Sequence, residues 1–192
     1  MIDTRTVVLV EGVSDKSAVE ALAGRRGLDL AGEGIVVVAM GGATNIRAHV
    51  GRFGPAGRGL RLAGLCDAGE EEEFRRAFEG AGLGSELSRS DLEALGFFVC
   101  VADLEDELIR ALGTAAVERV VDAEGELGSF RTLQKQLVWR ERTTHDQLRR
   151  FMGSGGGRKI RYSGLLVAAL DLDQVPRPLD MLLAHLLLGS RR

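Results

Sequence analysis

Thr6-Val7-Val8-Leu9-Val10-Glu11-Gly12-Val13-Ser14-Asp15 decides the fold. Thr6 to Val10 is a β-branched apolar run without polar alternation, the pattern of a strand buried on both faces. After Glu11 and Gly12 the apolar positions Ala18, Val19, Leu22 and Ala23 recur at helical spacing, so a helix is expected over Ser14 to Arg26 with Ser14 as its N-cap. The unit then repeats. A strand over Ile35 to Met40 ends in Gly41-Gly42 and leads to a helix over Thr44 to Phe53. A strand over Arg61 to Cys66 ends at Asp67 and leads to a helix over Glu70 to Gly80. A strand over Phe97 to Val101 ends at Asp103 and leads to a helix over Glu105 to Leu112. Continuous apolar strands joined by helices imply an α/β fold, a parallel sheet of about four strands covered by helices.

Beyond Gly113 strand-type runs stop. Helical periodicity continues through Val117 to Val121, Phe130 to Trp139, Gln147 to Met152 and Ile160 to Leu172, and Pro176 and Pro178 precede a last apolar helix over Leu179 to Leu188. The expected organisation is an α/β domain over 1–113 and a helical extension over 114–192 packed on it. The leucines of the last helix make a homodimer contact an expectation to test.

At 192 residues, with 45% hydrophobic and 28% charged side chains, the chain has the balance of one globular domain and not of a disordered one. No apolar run approaches the ~20 residues that cross a bilayer, and no signal-type segment opens the sequence, so a cytoplasmic protein without membrane contact is expected. Cys66 and Cys100 lie inside apolar runs without metal-ligand spacing, and His49, His145 and His185 are scattered, which argues against zinc. Gly153 to Gly157 precedes Arg158-Lys159-Ile160 but lacks the Gly-Lys-Ser/Thr ending of a phosphate-binding P-loop, and reads as a linker or mobile loop.

The net charge of -3 hides an uneven distribution. Between Arg131 and Arg161 nine Lys or Arg face only Glu141 and Asp146. Such a segment on an acidic body is either a solvated helical face or the footprint of a protein that holds phosphates, with Arg149, Arg150, Arg158, Lys159 and Arg161 as the nucleic-acid contacts. Trp139, the only tryptophan, either stacks on a base there or packs.

In parallel α/β folds ligands bind beyond the carboxyl ends of the strands. Glu11 ends the first strand with Asp15 one helical turn on, Asp67 ends the third, and Asp103 and Glu105 follow the fourth on one side of an extended segment. Each acid alone is explained by capping the next helix. Five of them meeting on one rim repel one another unless a divalent cation neutralises them, and oxygen-only ligands suit Mg2+ or Mn2+.

Val8-Leu9-Val10-Glu11-Gly12-Val13-Ser14-Asp15 resembles the opening motif of a Toprim domain, the catalytic module of type IA topoisomerases, DnaG-type primases and OLD-family nucleases. Leu65-Cys66-Asp67 is similar to the start of that family's second motif, and Asp103-Leu104-Glu105 is most similar to the OLD (overcoming lysogenization defect) branch. The resemblance covers roughly residues 5–112. It implies a metal-dependent nuclease hydrolysing DNA, in which Glu11 is the general acid/base or a direct ligand and Asp15, Asp67, Asp103 and Glu105 hold one or two ions. It also implies a catalytic role for the basic residue opening a C-terminal helix, here Lys159 after Arg158. The sequence departs from Asp-x-Asp in the second motif, because Asp67-Ala68 is followed by Gly69. Glu70, one residue later, either replaces the lost ligand or caps its helix. Whole OLD proteins carry an ATPase ahead of the Toprim part, so a stand-alone chain would work alone, as an oligomer, or with a separate ATPase subunit. Two other readings share these residues: a Toprim nuclease on structured RNA, and a non-catalytic adaptor with an impaired metal site.

Overall fold

The computed structural model describes residues 4–155 and 157–190; Gly156 of the glycine stretch lies outside them. The strands are β1 (Thr6–Val10), β2 (Ile35–Ala39), β3 (Arg61–Asp67) and β4 (Phe97–Cys100). They form one parallel sheet in the order β2-β1-β3-β4. α1 (Val13–Arg25), α2 (Ile46–Phe53), α3 (Glu71–Gly80), α4 (Arg89–Ala94) and α5 (Leu104–Leu112) alternate with the strands. α6 (Thr114–Ala123), α7 (Leu127–Gln134), α8 (Thr144–Met152), α9 (Arg158–Ala169) and α10 (Arg177–Ser190) follow. The α/β architecture with a helical C-terminal part is as the sequence implied. No helix among the described residues is long and apolar enough to cross a membrane.

Every residue of β1 is buried, and its side chains divide by the two-residue period of a strand. Val8 and Val10 enter one core with Ala63, Leu65, Phe98 and Cys100, whereas Val7 and Leu9 enter the other with Leu62, Cys66, Phe97 and Val99. The second core is closed by α2, α3 and α4 through residues such as Val50, Phe74 and Leu92. The first is closed by α1 and the whole C-terminal set. Gly64 is obligatory in β3, since a Cβ there would lie 2.1 Å from the Leu9 carbonyl oxygen and 2.8 Å from the Phe97 ring.

The chain leaves β1 for β2 on one side and then crosses back to β3 on the other. The carboxyl ends of β1 and β3 therefore flank the point where strand order reverses, where open α/β sheets bind ligands. Arg25 in the last turn of α1 donates at 2.7 Å to the carbonyls of both Val167 and Leu170, which satisfies the C-terminal end of α9 and holds it along α1.

Four local expectations are corrected. Gly12, not Ser14, caps α1, because the Asp15 carboxylate accepts the Gly12 N–H at 2.8 Å and Ser14 is buried in the first turn. Asp103 and Glu105 do not share one extended segment, because the helix begins directly after the extended Asp103. Asp103 caps α5 by accepting the Asp106 N–H, and Glu105 is already helical. The helix expected over Phe130 to Trp139 stops at Gln134, and Trp139 stands on a run of turns. α9 stops at Ala169, with Leu172–Gln174 a separate 3-10 turn. α4 was not expected, although Ser88 and Asp91 form the capping box that signals it. In α10, Leu179, Leu182, Leu183 and Leu186 enter the first core, which leaves Met181, Leu187 and Leu188 as its exposed apolar residues.

Candidate active site

The strand ends assemble the acids because each strand stops where its last residue leaves the sheet. Glu11 follows β1, and its backbone carbonyl accepts the N–H groups of Gly41 and Gly42, tying the loop after β2 to the same edge. Asp67 is the last residue of β3, and the 3-10 turn Ala68–Glu70 carries Glu70 back over the strand end. Carboxylate oxygens of Glu11, Asp67 and Glu70 all lie within 4.8 Å of one another. Glu71 turns away, buried against Arg75 and Arg89, so the four-glutamate run separates into one member facing the site and others serving α3.

Asp15, Asp103 and Glu105 stand in the same electrostatic neighbourhood but are already engaged. Asp15 receives the Gly12 N–H. Asp103 accepts the Asp106 N–H on one oxygen and pairs with Arg149 on the other. Glu105, 6% exposed, pairs through Oε2 with Lys159 at 3.1 Å, while its Oε1 is buried without a hydrogen-bond partner. The structure thus brings Lys159 to the acids, and α9 is held so as to place it there. Its other end is held by Arg25, and its first turn is held by Glu126, which accepts from Arg158, Arg161 and the Tyr162 hydroxyl.

The titration behaviour separates these groups. Burial, then the charges of Glu11, Asp15, Asp103 and Glu70, push the Asp67 carboxyl up to about 8. Burial raises Glu70 as well, reinforced by the Glu11 and Asp15 carboxylates beside it. Burial also raises Asp15 and Glu105, against the pull of the Gly12 N–H on Asp15 and of Lys159 on both. For Lys159 burial opposes the charge, but Glu105, Asp15 and Asp103 outweigh it and raise its pKa, so the ammonium stays charged.

Of the basic residues singled out in sequence, Arg149 and Lys159 line a pocket of about 500 Å3 beside the acids, together with Arg150. Arg158 and Arg161 do not join them. Both are drawn onto Glu126, and the Arg158 guanidinium also lies 4.2 Å from the Phe151 ring centre. Sequence reasoning missed Glu126, whereas Arg142, which lines the same pocket as Lys159, stands with Lys135 and Arg140 in the basic surroundings of Trp139 already visible in the sequence. Glu126 acts through pairs more than thirty positions away, for which no local spacing gives a signal.

This geometry has known relatives. Residues 4–54 match the family model described as Overcoming lysogenization defect protein-like, TOPRIM domain. The structure is similar to the C-terminal region of the Xanthomonas campestris pv. campestris OLD protein. In its platinum-phased form that region is 26% identical, with a TM-score of 0.78 over 98% of this chain and 94% of that one. In the mercury-phased form it is 25% identical, with a TM-score of 0.76 over 100% and 98%. The C-terminal region of the Burkholderia pseudomallei OLD protein, 19% identical, shares the fold with a TM-score of 0.75 over 97% and 98%. Comparison with curated proteins finds no match. The likeness reaches beyond the motif-bearing 5–112 to the whole chain, so the helices after Gly113 are part of the shared fold.

Proposed function

We propose that this chain is a Toprim-type nuclease that hydrolyses DNA phosphodiester bonds with Mg2+ or Mn2+. The observation that carries the reading is the convergence of Glu11, Asp67 and Glu70 within 4.8 Å, from two separate strand ends, beside the Lys159–Glu105 pair. The donor set fits a hard divalent cation: it is all oxygen, Asp67 is pushed up to about 8 chiefly by burial, and Glu105 Oε1 is buried without a partner. Glu11, Asp67 and Glu70 would hold one ion, with Glu70 taking the place that Gly69 leaves without a carboxylate. Asp15, Asp103 and Glu105 stand where a second would be held. Bound there, the cation would neutralise the acids and withdraw charge from the phosphodiester under attack.

The chain's own groups supply the rest. The Glu11 carboxylate takes the proton of the attacking water as general base, while the phosphorus–oxygen bond opposite the water breaks and its sugar oxygen leaves with a proton taken from solvent. The Lys159 ammonium, fixed by Glu105, offers donors to a non-bridging phosphate oxygen and stabilises the charge that grows there in the transition state. Arg149 and Arg150 on α8 hold neighbouring phosphates, fixing the strand so that the scissile bond lies at the acids. An ATPase partner would add control without changing these roles.

The test is nicking of supercoiled plasmid and cleavage of linear DNA and structured RNA in Mg2+, Mn2+ or EDTA, with Glu11→Ala and Asp67→Ala alongside. Metal-dependent cleavage of DNA that both substitutions abolish is expected. Cleavage confined to RNA would reassign the substrate. Binding without cleavage, indifferent to both substitutions, would make the chain an adaptor and overturn the reading.

A further inference from the structure

The pocket beside the acids is lined by Asp103, Glu105 and Lys159 and also by Trp139, Arg142 and Arg150. Holding a scissile phosphate does not by itself call for an indole there. Trp139 stands in the irregular segment between α7 and α8, where it is half-buried and the adjoining Leu137 and Val138 are 75% and 70% exposed. The segment is nonetheless fixed. Gln147, only 5% exposed, donates its side-chain amide to the Trp139 carbonyl at 2.8 Å and the Arg142 carbonyl at 3.1 Å, and accepts from Gln134 at 2.7 Å. A buried amide satisfied by loop carbonyls locks the turn, and the partly buried Trp139 also packs against the edge of the first core, as the packing alternative read in the sequence expects.

The charges in the pocket divide the same way. Arg149 and Lys159 are paired with Asp103 and Glu105. Among the described residues neither Arg142 nor Arg150 pairs with a carboxylate, and the Arg150 guanidinium lies 5.9 Å from the Trp139 ring centre. An aromatic ring on a turn held by Gln147, two guanidinium groups without a salt bridge beside the one further carboxylate of the lining, Asp146, and about 500 Å3 of space, continuous with a phosphodiester site, match the chemistry of one nucleotide.

We propose that this pocket takes an unpaired nucleotide adjoining the scissile phosphate, its base on the Trp139 indole and its phosphate between Arg142 and Arg150. The proposal rests on the nuclease reading. A base offers its face to an indole only when it has left the duplex stack, so single strands, gaps and frayed ends are the preferred substrates. Gln147 is the positioning residue that holds the turn carrying Trp139.

Because Trp139 is the only tryptophan, its fluorescence reports the pocket directly. With Ca2+ as the ion, a short oligothymidine is titrated against the protein, and so are its duplex with oligoadenine and inorganic tripolyphosphate. Saturable quenching by the single strand is expected at a concentration about tenfold or more below that needed for the duplex, with none by tripolyphosphate. In Mg2+ or Mn2+, Trp139→Leu should raise KM for oligothymidine about 5- to 100-fold with a smaller fall in kcat, and Trp139→Phe should recover most of it. If Trp139→Leu does not fold, Arg150→Gln carries the same KM test. Equal quenching by duplex or tripolyphosphate, or an unaltered KM in the folded variants, overturns the pocket. Cleavage by a protein whose tryptophan stays silent defeats this proposal alone. Quenching by a protein that cleaves nothing in either metal defeats the nuclease reading and leaves the pocket standing.

Discussion

Two carboxylate environments meet at the start of α9 and behave in opposite ways. Arg158 reaches Glu126, whose carboxyl is held down at about 2, first by Arg158 and then by the Tyr162 hydroxyl and Arg161. Lys159, the next residue, reaches Glu105 in a cluster where Asp67 is pushed up to about 8 by burial and by its acidic neighbours. Glu126 has all the donors it needs from its own chain. The Asp67 cluster has too few, and a ligand of opposite charge would make up the deficit. The first environment builds the helix that places Lys159, and the second is what Lys159 is placed against.

Breaking each side should therefore give opposite signatures. Asp67→Asn is expected to lower metal-dependent cleavage by about 10²-fold or more, on the scale of losing a preorganised electrostatic contact to the transition state. In EDTA it should raise the thermal midpoint, because it relieves repulsion. A variant that loses activity by losing stability would erase the contrast. Glu126→Ala should cost about 2 kcal/mol in urea unfolding, since it leaves the Tyr162 hydroxyl and a part-buried Arg158 without their acceptor. Its residual cleavage should recover in Glu126→Gln, which can still accept from Tyr162. An unchanged urea midpoint would remove Glu126 from its anchoring role.

The pH dependence sharpens the same contrast. A carboxyl with a lowered folded pKa contributes stability above the unfolded value near ~4.3 and loses it as pH falls toward about 2, so Glu126 stabilises the fold at neutral pH and fails in acid. A carboxyl with a raised folded pKa does the reverse. Protonated in the fold and ionised in the unfolded chain, Asp67 costs stability progressively as pH rises from ~3.9 through about 8. Without metal the thermal midpoint should climb out of acid and then decline toward pH 8. Mg2+ or Mn2+ should restore the alkaline side while leaving the acid limb unchanged. Asp67→Asn should flatten the decline, and a metal effect as large at pH 5 as at pH 8 would contradict it.

The fold was legible because its strands are continuous apolar runs ended by acids, a pattern set by local sequence. The places of Glu11, Asp15, Asp67, Glu70, Asp103, Glu105 and Lys159 were legible for the same reason: strand and helix ends fix where they stand. What escaped reading depends on distant partners. Trp139 has helical spacing behind it, yet the Gln147 amide takes the carbonyls of Trp139 and Arg142 and the chain turns instead. The run of basic residues containing Arg158 and Arg161 carries no sign of Glu126, which faces them only once α7 and α9 have packed on the same core. Charge along a chain shows how much cation there is, and packing decides where it is used.

The smallest expected effect probes how the acid side came to be as it is. Gly69 stands in the 3-10 turn between Asp67 and Glu70, and a Cβ added there would meet nothing within 4 Å, so Gly69→Asp needs no rearrangement. The new carboxylate joins a cluster already short of positive charge, so the metal-free variant should melt slightly lower than the parent at pH 8. With one more oxygen donor, Mn2+ should bind about 3- to 10-fold more tightly, a gain of roughly 1 kcal/mol, measurable by calorimetry. Glu70→Gln should weaken Mn2+ binding in the parent and much less in the Gly69→Asp background, because the second carboxylate takes over its place. Equal losses in both backgrounds would mean that Glu70 and position 69 do not serve the same ion, and that Glu70 is no substitute for the missing aspartate.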